Sequence, residues 1–163
     1  MKHINVIDIE ASGLHFDAYP IEVAVLINEK VYSWLIKPEP NWLHWCSAAE
    51  SMHGITRERL LSEGLNAAQV AEELNNLLKH SDAPLCSDAV YWDSDWIDTL
   101  FHSVKQSRLF HISSLYELMN EDECKSFDHL KRQLALSGKY RQHRAKEDVR
   151  LILDAYYEAS SGL

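Results

Sequence analysis

Two carboxylates, Asp8 and Glu10, stand two positions apart in an apolar stretch near the N-terminus. Side chains alternate along a β-strand, so both carboxylates are predicted to project from the same face. Like charges held side by side are unfavourable unless a cation lies between them. The pair therefore indicates a metal site, with a solvated polar strand end as the alternative interpretation.

A histidine and an aspartate, His143 and Asp148, open the last predicted helix. In this position His143 can lean over a site while Asp148 projects from the first turns. An aspartate at a helix start also stabilises the helix dipole by itself, and this alternative stays open.

A third candidate carboxylate lies in the segment 87–98, which contains four aspartates. Asp93 is predicted at the start of a helix and is the preferred metal ligand of this group. Asp88 and Asp95 compete with it for that role. A helix N-cap formed by Asp93 or by the serine after it is the non-catalytic alternative.

The residues that follow the first acidic pair are Ser12, Gly13 and Leu14. Gly13 permits a turn and lets a ligand approach the backbone closely. Leu14 is then an apolar residue on a turn beside the acids. A contact with a nucleotide base and a core anchor are equally favoured roles for its side chain.

Length and composition limit the class of protein. A chain of 163 residues predicts one domain, spanning 1–163. The net charge of −9 argues against a broad basic surface that binds many phosphates, but a small site can rely on bound divalent cations instead. Because no apolar run reaches membrane-spanning length and no signal-peptide pattern is present, a cytoplasmic location without membrane contact is expected.

The pattern of apolar residues predicts a sheet that begins with a β-meander and continues with β-α units. Predicted strands lie at 4–9, 21–27, 31–36, 83–87 and 109–112, and predicted helices at 67–78, 93–104, 127–136 and 144–159. Asn66 is the expected N-cap of the first of these helices. Three leading strands followed by alternating units favour one mixed sheet with helices packed on it.

Four segments, in this order along the chain, resemble the motifs of the DnaQ-like, or DEDDh, family of 3'-5' exonucleases. The family motifs read Asp-x-Glu-x-Thr-Gly-Leu, His-Gly-Ile, aromatic-Asp-x-x-aromatic-aliphatic and His-x-Ala-x-x-Asp. The segments here are Asp8-Ile-Glu-Ala-Ser-Gly-Leu14, His53-Gly-Ile55, Trp92-Asp-Ser-Asp-Trp-Ile97 and His143-Arg-Ala-Lys-Glu-Asp148. The resemblance implies an α/β fold, a ribonuclease H-like mixed five-stranded sheet flanked by helices.

The chain departs from the family pattern at two places. Ser12 stands where the family usually has threonine, which keeps a hydroxyl group. Ser87-Asp88-Ala89 stands where His-Asn-Ala is common, with one extra residue before Asp93. The register of this second motif and the nucleotide contact of the usual asparagine therefore stay open.

The resemblance also implies a chemistry. It places two Mg²⁺ or Mn²⁺ ions about 4 Å apart. Asp8 would bridge both ions, Glu10 and Asp148 would complete the first, and Asp93 would help to hold the second. His143 would take a proton from the attacking water.

The substrate implied by the resemblance is the single-stranded 3' end of DNA or RNA. The residues expected to hold its terminal nucleotide are Ser12, Gly13, Leu14, His53 and Ile55. A catalytically inactive nucleic-acid-binding module of the same fold is the alternative function. The sequence decides neither the kind of nucleic acid nor the oligomeric state, and a homodimer is compatible with it.

Overall fold

The computed structural model describes residues 2–162, and its centre is a five-stranded sheet. The strands are β1 (Asn5–Ala11), β2 (Pro20–Ile27), β3 (Lys30–Leu35), β4 (Leu85–Ser87) and β5 (Ile112–Ser114). Their order across the sheet is β3-β2-β1-β4-β5. The first three pair antiparallel, whereas β4 pairs parallel with both β1 and β5. The predicted mixed five-stranded sheet is thereby confirmed.

Residues 2–162 also form six α-helices. They are α1 (Ser47–His53), α2 (Arg57–Glu63), α3 (Ala67–Leu78), α4 (Val90–Ser103), α5 (Glu121–Leu136) and α6 (Ala145–Ser160), and a 3-10 turn spans Leu115–Leu118. Among residues 2–162, no helix has both the length and the apolar character that a bilayer crossing requires.

The alternation of side chains along β1 divides the core into two halves. Ile7 and Ile9 face a cluster that includes side chains of α3 and α4. Ile4 and Val6 face the opposite cluster, which is built from α5 and α6. Asp8 and Glu10 have the parity of Val6, so β1 directs both carboxylates to the face that α6 covers.

Several predicted elements need new boundaries. Helix α4 begins at Val90, with Ala89 at the N-cap position, so the N-cap interpretation of Asp93 is wrong. Helix α5 begins at Glu121 because Asn120 and Glu123 form a capping box there. Asn66 does occupy the N-cap position of α3, but its side chain makes no capping hydrogen bond.

The last strand was predicted at 109–112 and lies at Ile112–Ser114 instead. The reason is a long-range contact: the backbone N–H of Leu109 donates to Asn75 Oδ1 at 2.8 Å, which fastens this segment to α3. Helices α1 and α2 were not predicted, since seven residues are too few to display a helical period.

Candidate active site

All five residues of the proposed catalytic set line one open cleft of about 750 Å³ between β1 and helices α4, α5 and α6. These residues are Asp8, Glu10, Asp93, His143 and Asp148. The sequence separates them by as many as 140 positions, and the sheet brings them together. The cleft wall also contains Leu14, Asp88, Trp92, Trp96, Tyr116, Lys131 and Arg132.

The two carboxylates of β1 are half-buried near the end of that strand. The Oδ2 atom of Asp8 is enclosed and has no hydrogen-bond partner. Burial is the main cause that raises the pKa of Asp8 well above its ordinary value, and the carboxylates of Asp93, Asp148 and Glu10 add to it. An enclosed acceptor without a donor costs free energy unless a cation or a proton satisfies it.

Asp93 projects from the first turns of α4 and is almost completely buried. Its Oδ2 atom accepts a hydrogen bond of 2.5 Å from Ser87 Oγ, at the end of β4. Burial raises the pKa of Asp93 to about 8, although the hydrogen bond from Ser87 acts in the opposite direction. Ser87 therefore fixes the orientation of this carboxylate while its charge remains unfavourable.

The two competing aspartates have different surroundings. Asp95 is exposed and does not contribute to the cleft wall. Asp88 does line the cleft, but its carboxylate forms an ion pair with the Lys131 ammonium. Of the three aspartates, Asp93 is the one that lies near Asp8 and forms no ion pair within residues 2–162. It is therefore the favoured metal ligand.

His143 lies close to two of the carboxylates. One potential ligand atom from each of Glu10, His143 and Asp148 lies within 4.8 Å of the other two. The backbone of His143 has φ +58°, the left-handed region that a residue with a Cβ seldom adopts. Such a conformation costs about 1–3 kcal/mol and persists where neighbouring contacts impose it.

The residue that follows His143 forms a buried ion pair, between Arg144 and Glu22. Arg144 Nη2 donates to Glu22 Oε2 at 2.8 Å, and Arg144 Nε donates to both carboxylate oxygens at 3.2 Å. The backbone N–H of Ala145 donates to Glu22 Oε1 at 2.7 Å. Glu22 thus fastens the first residue of α6 to β2, and the direction of His143 and Asp148 follows from that attachment.

Burial and mutual repulsion decide the charge state of the cluster. Burial, with the nearby Asp148 carboxylate second, raises the pKa of Glu10 to about 8. Burial raises the pKa of Asp148 to about 6, while Glu10 and His143 act in the opposite direction. Without a cation, Glu10 therefore retains a proton near neutral pH, whereas Asp148 is largely ionised there. Carboxylate oxygens suit hard divalent cations, and the unpartnered Asp8 oxygen is a free ligand atom for one.

The residues between the acids and the second strand surround a tight turn. The Ser12 hydroxyl is buried, accepts a hydrogen bond from the Tyr19 backbone N–H and bonds His44 Nδ1 at 2.9 Å. A Cβ atom on Gly13 would lie 2.7 Å from His44 Cε1, so this position requires glycine. Leu14 is 72% exposed and lines the cleft, which excludes the core-anchor role.

His53 and Ile55 lie below the surface and, like Ser12 and Gly13, do not contribute to the cleft wall. The Nδ1 atom of His53 accepts a hydrogen bond of 3.0 Å from the Ile55 backbone N–H. The other ring nitrogen, Nε2, is buried without a partner. Because burial lowers the pKa of His53, the ring is neutral and retains one nitrogen for a further hydrogen bond.

A family model described as RNase_T: Exonuclease matches residues 6–156. The chain belongs to this exonuclease family. Comparison of its sequence with curated proteins gives no significant match.

The fold of this exonuclease family member is similar to solved structures of exonuclease I. The E. coli enzyme in complex with a dT13 oligonucleotide has a TM-score of 0.74 and 17% identity, over 96% of this chain and 41% of that chain. A zinc-bound E. coli exonuclease I complex with single-stranded DNA has a TM-score of 0.75 and 17% identity, over 99% and 41%. A product-bound exonuclease I has a TM-score of 0.75 and 15% identity, over 99% and 44%.

These similarities confirm the predicted ribonuclease H-like fold. The present exonuclease chain spans less than half the length of the exonuclease I chains that it matches.

Sequence reasoning missed four residues that shape this exonuclease site. Glu22 is the one acidic residue in the apolar strand β2, a signal that could have marked it. Arg144 follows His143 directly, so its position near the cleft was predictable. Its ion-pair partner, Glu22, was not. Ser87 and Lys131 gave no local signal, because each acquires its role from a carboxylate on another element.

Removing the charge of Asp8 is expected to stabilise the metal-free protein. Since the folded-state pKa of Asp8 is raised, its contribution to stability is largest below the unfolded pKa of about 3.9 and is lost as pH rises. In EDTA at pH 8, Asp8→Asn should therefore raise the Tm, by about 2–4 °C for each kcal/mol gained. Thermal unfolding at pH 8 and at pH 5 measures this, and the gain should shrink at pH 5.

The matched control is Asp95→Asn, which removes an exposed carboxylate from helix α4. It should leave the Tm within the range of ordinary surface substitutions, about 0.5 kcal/mol. A metal-free Asp8→Asn protein that is less stable than the unmodified protein at pH 8 would contradict the unfavourable charge assigned to Asp8.

Loss of the charge on Glu22 should be costly. Glu22→Gln keeps the side-chain volume but leaves the buried Arg144 cation uncompensated, which costs about 3–5 kcal/mol. For a domain of this size the Tm should fall by about 10 °C. Glu63→Gln breaks an exposed ion pair with Arg59 and should cost less than about 1 kcal/mol. Equal losses in the two variants would exclude the anchoring role of Glu22.

Proposed function

We propose that this domain is a 3'-5' exonuclease that hydrolyses phosphodiester bonds at the 3' end of single-stranded DNA or RNA. The observation that supports this proposal is the convergence of Asp8, Glu10, Asp93, Asp148 and His143 in one cleft. Among the similar structures, exonuclease I complexes contain dT13 and dA16 oligonucleotides, and the present chain matches 41% of each of those chains.

The carboxylates of Asp8, Glu10, Asp93 and Asp148 would hold two Mg²⁺ or Mn²⁺ ions. The raised pKa values of these acids reflect charges that lack partners, and the enclosed Asp8 oxygen is a ligand atom without a hydrogen bond. Bound divalent cations would neutralise this cluster, acidify water and stabilise charge on the scissile phosphate.

His143 acts in this proposal as the general base. Its imidazole can reach the groups that hold the attacking water, since it lies within 4.8 Å of ligand atoms of Glu10 and Asp148. A neutral imidazole accepts the proton when water attacks phosphorus, and the neighbouring Asp148 carboxylate stabilises the resulting cation. The attachment of Arg144 to Glu22 keeps the ring at the cleft while this occurs.

The apolar part of the cleft would hold the terminal nucleotide. Leu14 is exposed at the rim, and the stacked rings of Trp92 and Trp96 form part of the wall, with centroids 5.6 Å apart. Apolar side chains and aromatic faces bind nucleotide bases without selecting a sequence. Ser12, Gly13, His53 and Ile55 would contribute through the two turns that support Leu14 and the cleft rim.

His143→Ala should reduce the rate of exonucleolytic cleavage by about 10²–10⁴-fold, the contribution of a positioned general base. Activity should also disappear in EDTA and return with Mn²⁺ or Mg²⁺. The control is His80→Ala, which removes an exposed histidine beyond the end of α3. Undiminished activity in folded, nuclease-free His143→Ala would refute the assignment and would leave the inactive nucleic-acid-binding module as the better interpretation.

The direction of digestion can be read from labelled strands. With Mg²⁺ or Mn²⁺, a 5'-labelled single strand should yield a ladder of shortening products, whereas a 3'-labelled strand should release its label at once as a mononucleotide. Matched DNA and RNA strands of one sequence measure which polymer is preferred. Release of the 5' label first, or cuts at internal positions only, would contradict a 3'-5' exonuclease.

A further inference from the structure

The wall of the cleft formed by α5 carries positive charge beside the carboxylates. Asp128, Lys131, Arg132 and Ala135 line the cleft, and their spacing places them on one face of the helix. Asp128 accepts a hydrogen bond of 2.7 Å from the Tyr116 hydroxyl. The two cations of this face therefore lie next to the acidic cluster in a chain whose net charge is −9.

Lys131 is held in place by Asp88. Its Nζ atom forms an ion pair with the Asp88 carboxylate, which is almost completely buried, while the lysine side chain remains 37% exposed. The pair fixes the ammonium at the cleft wall without enclosing it. A cation held in the same cleft wall as the carboxylates, and still partly accessible, can meet a phosphate of a strand bound in the cleft.

Two further arginines lie at or next to the cleft: Arg132 lines it, and Arg141 directly precedes Gln142 and His143, which also line it. Arg132 and Arg141 are exposed, and no carboxylate of residues 2–162 lies within ion-pair distance of either guanidinium. A Cβ atom on Gly54 would lie 3.4 Å from Arg141 Nη2, so this side chain lies beside the His53–Ile55 segment. By contrast, Lys131 is paired with Asp88, and six other basic side chains are also each paired with a carboxylate, namely Arg59, Arg108, Lys125, Lys139, Arg144 and Arg150.

We propose that Lys131, Arg132 and Arg141 form a phosphate-binding strip for the strand that precedes the terminal nucleotide. The inference rests on the proposed function and deepens it, because it makes a polymer of several nucleotides, and not a mononucleotide ester, the preferred substrate. Divalent cations can neutralise only the phosphate at the carboxylates. The phosphates before it need protein cations, and guanidinium groups bind phosphate oxygens through two parallel hydrogen bonds.

The test compares two substrates in Mg²⁺. One is a single-stranded oligonucleotide of ten nucleotides, and the other is thymidine 5'-(p-nitrophenyl phosphate), which has no preceding phosphates. Arg132→Ala and Arg141→Ala should each lower kcat/KM for the oligonucleotide by about fivefold at 0.1 M salt. The dependence of log kcat/KM on log salt concentration should become shallower by about 0.7 in each variant.

The ratio of kcat/KM for the oligonucleotide to kcat/KM for the ester is the deciding quantity. It should fall by about fivefold in each arginine variant. Arg59→Ala is the matched control, since it removes an exposed arginine from α2, outside the cleft. The proposal of a phosphate-binding strip is overturned if this ratio is unchanged in both Arg132→Ala and Arg141→Ala. This holds whether activity is retained or is lost equally on both substrates.

Failure of the proposed function gives a different result. If the unmodified protein cleaves neither substrate with Mg²⁺ or Mn²⁺, the exonuclease proposal fails, whatever the arginines do. The phosphate-binding strip is then tested by itself with a fluorescently labelled copy of the ten-nucleotide strand. Its binding is followed by anisotropy at several salt concentrations. A salt dependence shallower by about 0.7 in each arginine variant would support the strip, and identical slopes would overturn it.

Discussion

The carboxylate of Glu22 lies on β2 and binds a guanidinium and a backbone N–H at the start of α6, 122 and 123 residues later in the chain. This buried contact decides where α6 begins on the sheet. His143 precedes the anchored arginine, and Asp148 follows it by one helical turn. Both side chains are therefore positioned by an ion pair whose members do not line the cleft. Removal of one partner would leave a buried charge unpaired, so either loss is expected to disturb the start of α6.

Repulsion between carboxylates is the second constraint. Asp8, Glu10, Asp93 and Asp148 lie together where burial raises each pKa, so the cluster opposes its own ionisation. The fold offsets part of this cost with Ser87, which donates to Asp93, and with Lys131, which neutralises Asp88. In the proposed function, bound divalent cations would neutralise the remaining charge. The charge that would bind cations therefore lowers the stability of the protein when no cation is bound.

The acidic cluster and the cations of α5 divide the cleft into two regions. In the proposed function, the carboxylates at the end of β1 would hold metal ions, and Lys131 and Arg132 would meet phosphates of the bound strand. Leu14 and the paired tryptophans add an apolar surface for bases. In a chain with a net charge of −9, Lys131 and Arg132 place positive charge beside the carboxylates of this cleft.

The sequence by itself determined what depends on local spacing. Asp8 and Glu10 share a face because strands alternate, Val149 and Ile152 are buried because helices repeat, and α3 was predicted with its observed ends. The choice among Asp88, Asp93 and Asp95 needed the tertiary structure, since only Ser87, Lys131 and solvent exposure distinguish these three acids. The anchor between Glu22 and Arg144 was also beyond the sequence. Its partners are distant in the chain, and a periodic pattern carries no information about which distant side chains meet.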